Sequence, residues 1–304
     1  MPSLREIARR KTSVQATMQI TRTMEMVSTA KIRLALERAK QAEPYKDAIT
    51  RMLANVASAA RSTEQPLLET HAVEDKVLFI LVASDRGLAG GFNVVPQREV
   101  EREIARLERR GVSCSLITCG RKPTEYFTYR GRKPDMSFVG ISSEPTMDEA
   151  ERIASFVTDG YANDGVDRVM LYYSHARNRV DQEFVVEQLL PLSSQDLTMP
   201  NGPRTPEAVS SVEHEANTVY SFHPSASEVL DRLIPAYITT VIYHALLDSA
   251  AAEHGARRRA MQSATENARA VIENLNRTYN RVRQGSITTE LNEIVGGASA
   301  LEES

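Results

Sequence analysis

From Leu4 to about Ala60 the chain contains one proline, Pro44, and no glycine. No other feature limits the fold so strongly, because a stretch of this length without the usual helix breakers reads as one long helix. Apolar side chains recur at Ile20, Met24, Val27 and Leu34, then at Tyr45, Ile49, Met52 and Val56, the three-and-four spacing of a coiled-coil seam. At 1.5 Å per residue this helix is roughly 80 Å long, more than the width of a small domain. A second helical stretch runs from Ser225 to about Val295, with Pro235 and Gly255 as the only breakers before Gly285. Its stripes are Leu230, Ile234, Tyr237, Val241 and Ala245, then Ile272, Leu275, Tyr279 and Val282, continued by Ile287, Leu291 and Ile294.

Two long terminal helices that flank a compact insert bury their seams by pairing with each other, antiparallel. A second helix on the order of 105 Å long then overhangs the first. Its Ile287, Leu291, Ile294, Val295 and Leu301 would face water in a monomer, each forgoing roughly 1.5–3 kcal/mol of burial. Either another protein covers them or the C-terminus folds back on its own domain, and periodicity leaves both open.

Between about residues 75 and 200 the pattern changes to short β-branched runs alternating with amphipathic helices. KVLFILVA, VSCSLITC, DRVMLYYS and EFVVEQLLP read as strands; VVPQREVEREIARLERRG and TMDEAERIASFVTDGYA read as helices. Such alternation predicts an α/β sandwich with a mostly parallel sheet. The expected plan is therefore a helix over 1–60, an α/β domain over 75–200, a proline-rich and polar linker over 196–224, and a helix over 225–304.

SDRGLAGGFN, residues 84–93, sits where a strand meets a helix and raises the question of a phosphate site. Gly87, Gly90 and Gly91 match neither the dinucleotide fingerprint nor the P-loop, and no phosphate-directed lysine follows. A nucleotide-binding enzyme remains the rival reading. The six histidines fall in no metal-ligand spacing, and no nucleophile elbow is present. Cys114 and Cys119 lie in one apolar strand, where structural thiols are commoner than a redox pair.

The 304 residues, 41% hydrophobic, carry a net charge of -3 that conceals a polarity. Residues 1–40 hold nine basic against three acidic side chains, whereas 251–304 hold seven of each. A basic helix suits nucleic acid or an acidic protein surface; the absence of aromatic residues in it argues against base stacking. No apolar run approaches the roughly 20 residues that span a bilayer. The charged start, MPSLREIARRK, lacks a signal-peptide pattern.

SLREIARRKTSVQATMQITRTMEMVSTAKIR (3–33), SDRGLAGGFN, and TYNRVRQGSITTELNEIVGGASAL (278–301) together resemble, in order, three segments of the gamma subunit of F-type ATP synthases. The resemblance implies a fold of two classes, α/β plus coiled coil: antiparallel terminal helices forming a shaft, with an inserted Rossmann-like domain. It implies a rotor that transmits torque between an ion-driven membrane ring and a catalytic hexamer, without chemistry or cofactor of its own. The implied partners are the alpha and beta subunits, the epsilon subunit and the membrane c-ring, with no nucleic acid. The implied place is peripheral, at the cytoplasmic face of the membrane. Carried over by position, Arg283 and Gln284 match a pair that bonds a catch loop of the catalytic subunit. Thr288 and Glu290 match nearby polar contacts, Met24 lies against an acidic lever, and Ile287, Leu291 and Ile294 belong to the partner-facing tip. Two departures stand out: Ala89 replaces the family's usual cysteine, and Phe222-His223-Pro224 stands where Tyr-Glu-Pro is more common.

Overall fold

The strand β1 (Lys76–Val82) is apolar at consecutive positions, and every residue from Val77 to Val82 is buried. A strand of that kind must be covered on both faces. The computed structural model describes residues 3–59, 74–163, 165–178, 181–192 and 225–302. Around β1 the elements run α1 (Leu4–Ala59), α2 (Val94–Glu108), β2 (Ser113–Cys119), α3 (Arg121–Tyr129), β3 (Met136–Phe138), α4 (Met147–Ala162), β4 (Arg168–His175), β5 (Glu183–Leu190) and α5 (Ala226–Glu302). The chain divides into two compact units, one of residues 30–256 and one of residues 1–29 with 257–304. Both α1 and α5 contribute to each.

In the larger unit the sheet order is β3-β2-β1-β4-β5, parallel except for β5, which runs antiparallel to β4. Alternation along β1 sends Val77, Phe79 and Leu81 into a layer with Val100, Ile104 and Leu107 of α2 and Phe127 of α3. Leu78, Ile80 and Val82 enter the opposite layer, with Ile153 and Val157 of α4, Ile49, Leu53 and Val56 of α1, and Leu230, Ile234, Ile238 and Ile242 of α5. Each large side chain so buried contributes about 1.5–3 kcal/mol. The helix α4 starts on a capping box: the Glu149 amide donates to Thr146 Oγ1, and the Thr146 amide donates to Glu149 Oε2 at 2.9 Å. Pro44 and Pro235 lie inside continuous helices.

In the smaller unit α1 and α5 run antiparallel, and the hydroxyls of Thr21 and Thr265, 2.8 Å apart, fix their register. The buried positions of α1 there are Ile7, Thr21 and Ser28, with Val14 half-buried, a strict seven-residue repeat. Ile20 and Val27, expected in the seam, precede it by one residue, about 100° round the helix. They are 61% and 51% exposed, and Leu34, Tyr45 and Met52 are exposed as well. The physical reason is size: small and hydroxylic side chains allow close backbone approach, and each threonine hydroxyl also lies within bonding distance of a carbonyl one turn back, Met18 O at 3.0 Å and Met261 O at 2.8 Å. On α5 the expected seam holds, with Ile272, Leu275, Tyr279 and Val282 half-buried.

Candidate functional site

Loop 84–93 is built around Ser84 and Asp85. Asn93 Oδ1 accepts from the Ser84 amide and hydroxyl, both at 2.9 Å, which closes the loop on itself. Asp85 Oδ1 accepts from the amides of Arg121 and Gly140, both at 2.8 Å, and Oδ2 from the amide of Ser142 at 3.0 Å. Burial pushes the Asp85 carboxyl up, but these N–H groups and the Ser142 hydroxyl outweigh it and hold the group below 3.8. Arg121 opens α3, so a carboxylate of the chain itself sits at the helix end that could hold an anion. Gly120, at φ 113, is required here because a Cβ would lie 2.6 Å from the Ala83 carbonyl oxygen. Gly90 takes φ 59 in the turn, and Ala89 packs among Ala35, Phe92, Ala176 and Ala251. Gly90 thus serves the turn and Gly120 a close backbone approach, whereas a Cβ at Gly87 would meet open space and one at Gly91 an ordinary contact with Val95 at 3.7 Å.

The end of α5 presents a different arrangement. Leu4 lies 17 residues before Thr21 on α1, and the same distance beyond Thr265 on α5 ends at Val282. The start of α1 is thus opposite Val282, and α5 continues to Glu302, roughly 30 Å farther. The seam advances by three or four residues up to Val282, but the next large apolar residue, Ile287, is five away. That step carries the apolar stripe off the seam face instead of continuing it. At about 100° per residue, Ile287, Leu291, Ile294 and Val295 form one stripe. Arg283 and Glu290 border it on one side and Thr288 on the other, while Gln284 falls within it, between the angles of Leu291 and Val295. The four apolar residues are 48%, 56%, 68% and 62% exposed.

The polar members differ in how free they are. Thr288 Oγ1 donates to Gln284 O at 3.0 Å, and Glu290 Oε1 accepts from Ser286 Oγ at 3.4 Å. Among the described residues no hydrogen bond or ion pair engages the side chains of Arg283 or Gln284, both exposed. Met24 is half-buried on α1 and, by the Thr21 register, lies opposite Gln262, about 30 Å along the axis from Arg283. It does not join the tip residues in one site. Phe222-His223-Pro224 and the Leu301 side chain lie outside the described residues.

The sequence reading missed the anchoring part of Asp85, whose donor partners are 36 to 57 positions away. It also missed a cluster of two part-buried histidines, His175 and His244, around the buried Asp248. Burial pushes up both thiols, half-buried Cys114 and buried Cys119, as suits structural cysteines. Among the described residues no group of His, Cys, Asp and Glu is placed to hold a metal, and no helix is long and apolar enough to cross a membrane.

A family model described as ATP synthase matches residues 3–301. The ATP synthase gamma chain of Chlorobaculum tepidum is 39% identical over 307 residues, covering 100% of both chains. That of Pelotomaculum thermopropionicum is 41% identical over 303 residues, 99% of this chain and 100% of the relative. Among solved structures, a chain of the Euglena gracilis mitochondrial ATP synthase OSCP/F1/c-ring assembly superposes with a TM-score of 0.63 at 16% identity, covering 98% of this chain and 94% of the other. A chain from the central stalk and c-ring of the Tetrahymena thermophila mitochondrial ATP synthase gives 0.59 at 23% identity, with 81% and 99% covered. At such identities the likeness establishes the fold: long terminal helices with an inserted, mostly parallel sheet.

Proposed function

This chain belongs to the ATP synthase gamma-chain family, and we propose that it is the central shaft of a rotary ATPase, carrying torque between a membrane c-ring and a hexamer of alpha and beta subunits. The chemistry then occurs on the hexamer, and this chain is non-catalytic. The observation that supports this reading best is the end of α5, where an apolar stripe bordered by Arg283, Glu290 and Thr288 and including Gln284 has neither α1 opposite it nor cover from elsewhere among the described residues. Arg283 supplies a rigid fork suited to a carboxylate, and Gln284 both donates and accepts. Such a pair suits a contact made and broken at each step with a catch loop of the catalytic subunit. Thr288 and Glu290 add polar contacts beside it, while Ile287, Leu291 and Ile294 slide against the hexamer's lining. Met24, well separated from the tip, meets the acidic lever. The epsilon subunit and the c-ring are partners of the rest of the chain, which is peripheral at the cytoplasmic face of the membrane through the complex.

Affinity purification through this chain, followed by native mass spectrometry, tests the proposal. Alpha and beta subunits in equal numbers around a single copy of this chain are expected. Recovery of the chain without them, from a membrane fraction that retains ATPase activity, would overturn it.

A further inference from the structure

His175, the last residue of β4, reaches across to α5, where its Nδ1 lies 2.7 Å from Asp248 Oδ2. Asp248 is only 4% exposed. The same carboxylate oxygen is 3.7 Å from Nδ1 of His244, one turn earlier on α5. Two imidazoles thus flank one buried acid, and their surroundings separate them. His244 is the deeper; burial, and then the nearby Lys46 charge, push its pKa down to about 4, which leaves it neutral near pH 7. The His175 side chain is 34% exposed. Its hydrogen bond to Asp248 outweighs burial and raises its pKa above 6.5. The other charged or titratable groups around the pair are Lys46 and Asp47 from α1, Tyr173 from β4, and Glu183 from β5, itself paired with Arg177 at 2.6 Å.

We propose that His175 and Asp248 form a proton-operated latch between the end of β4 and α5, closed while His175 carries a proton and loosened as pH rises. The protonated ring supplies both a hydrogen bond and a compensating charge to a carboxylate shut away from water. The neutral ring can keep the hydrogen bond but not the charge, and a buried acid without a charged partner is costly. Because the folded-state pKa lies above the unfolded one, the latch contributes fully below about pH 6.5 and fades as pH climbs through the folded value. Each unit of elevation corresponds to about a tenfold change in local opening. Lys46 lies near enough for its charge to act on both imidazoles, but among the described residues no hydrogen bond or ion pair joins it to Asp248.

The test uses the full-length chain. Hydrogen exchange, corrected for intrinsic chemistry, should show amides at the end of β4 and in residues 244–252 opening at least several-fold more at pH 9 than at pH 6. His175→Gln should flatten that dependence. NMR titration of the unmodified chain should place the His175 midpoint above 6.5. A midpoint at or below 6.5 would overturn the latch even if the variant failed to fold, and so would a pH dependence that survives the substitution.

Discussion

Two stretches of the same helix solve opposite problems. Between Leu230 and Ile242, α5 buries Leu230, Ile234, Ile238 and Ile242 completely against the sheet and α4. Between Ile287 and Val295 it buries no large apolar side chain at all. One continuous helix therefore joins a segment that stabilises this chain to a segment whose apolar surface awaits another. The charge follows the same division: the unit of residues 1–29 and 257–304 holds twelve basic and eight acidic side chains, a balance of +4, so the other unit carries -7 of the total -3. The lesson is that helix continuity says nothing about where stability resides.

The contrast breaks most readily at Ile234. Replacing it by Ala should cost about 2–5 kcal/mol, from lost transfer energy plus a cavity, read as a lower urea midpoint of the full chain. An unchanged midpoint would show that the buried stretch of α5 is no more structural than its tip.

A smaller loss is expected at loop 84–93. Asp85→Ala strands three backbone N–H groups and should cost about 1–3 kcal/mol at pH 7. Since Asp85 is held below 3.8 in the folded chain, its contribution is present above the unfolded pKa and vanishes as pH falls through the folded one. Urea titrations at pH 7 and near pH 3 should therefore differ for the native chain more than for the variant. Equal differences would remove the carboxylate from its anchoring part.

The seam of the smaller unit should respond less. Thr21→Val or Thr265→Val alone leaves one hydroxyl without its cross-seam partner, and about 0.5–1.5 kcal/mol is expected from each. The double variant should cost clearly less than the sum, which a double-mutant cycle measures. Strict additivity would mean that the two hydroxyls do not interact.

The smallest effect on stability sharpens the comparison most. Arg283→Ala should leave helicity and the unfolding midpoint within about 0.5 kcal/mol of the native chain. ATP turnover of the reconstituted complex should fall in part, because the contact is one of several. Circular dichroism beside steady-state hydrolysis decides: lost helicity with unchanged turnover would make Arg283 a structural residue.

Much of the fold was legible because its signals are local. The stripe of Leu230, Ile234, Tyr237, Val241 and Ala245 is buried as its spacing predicts, and the four strands read from β-branched runs stand within a residue or two of their expected bounds. The α3 helix escaped notice because it begins Arg-Lys-Pro between Gly120 and Gly131, the composition of a loop, and β3 escaped because three residues carry no period. Ile49 and Val56 of the expected α1 seam are buried, but its first part was misplaced by one residue for a physical reason: hydrophobicity marks Ile20 and Val27, whereas close helix contact selects Thr21 and Ser28. At the tip, the five-residue step from Val282 to Ile287 was visible in the sequence. It gains meaning only with the Thr21–Thr265 register, which shows where α1 begins.

Asp85 has a consequence beyond the stability of its loop. A strand-to-helix turn of this architecture is a place where many α/β proteins bind nucleotides, and here Asp85 reaches from that turn to the amides of Arg121, Gly140 and Ser142 on neighbouring segments. A ligand phosphate at the start of α3 would have to displace a tethered carboxylate. Competition of that kind is intramolecular, so it does not weaken as the protein is diluted.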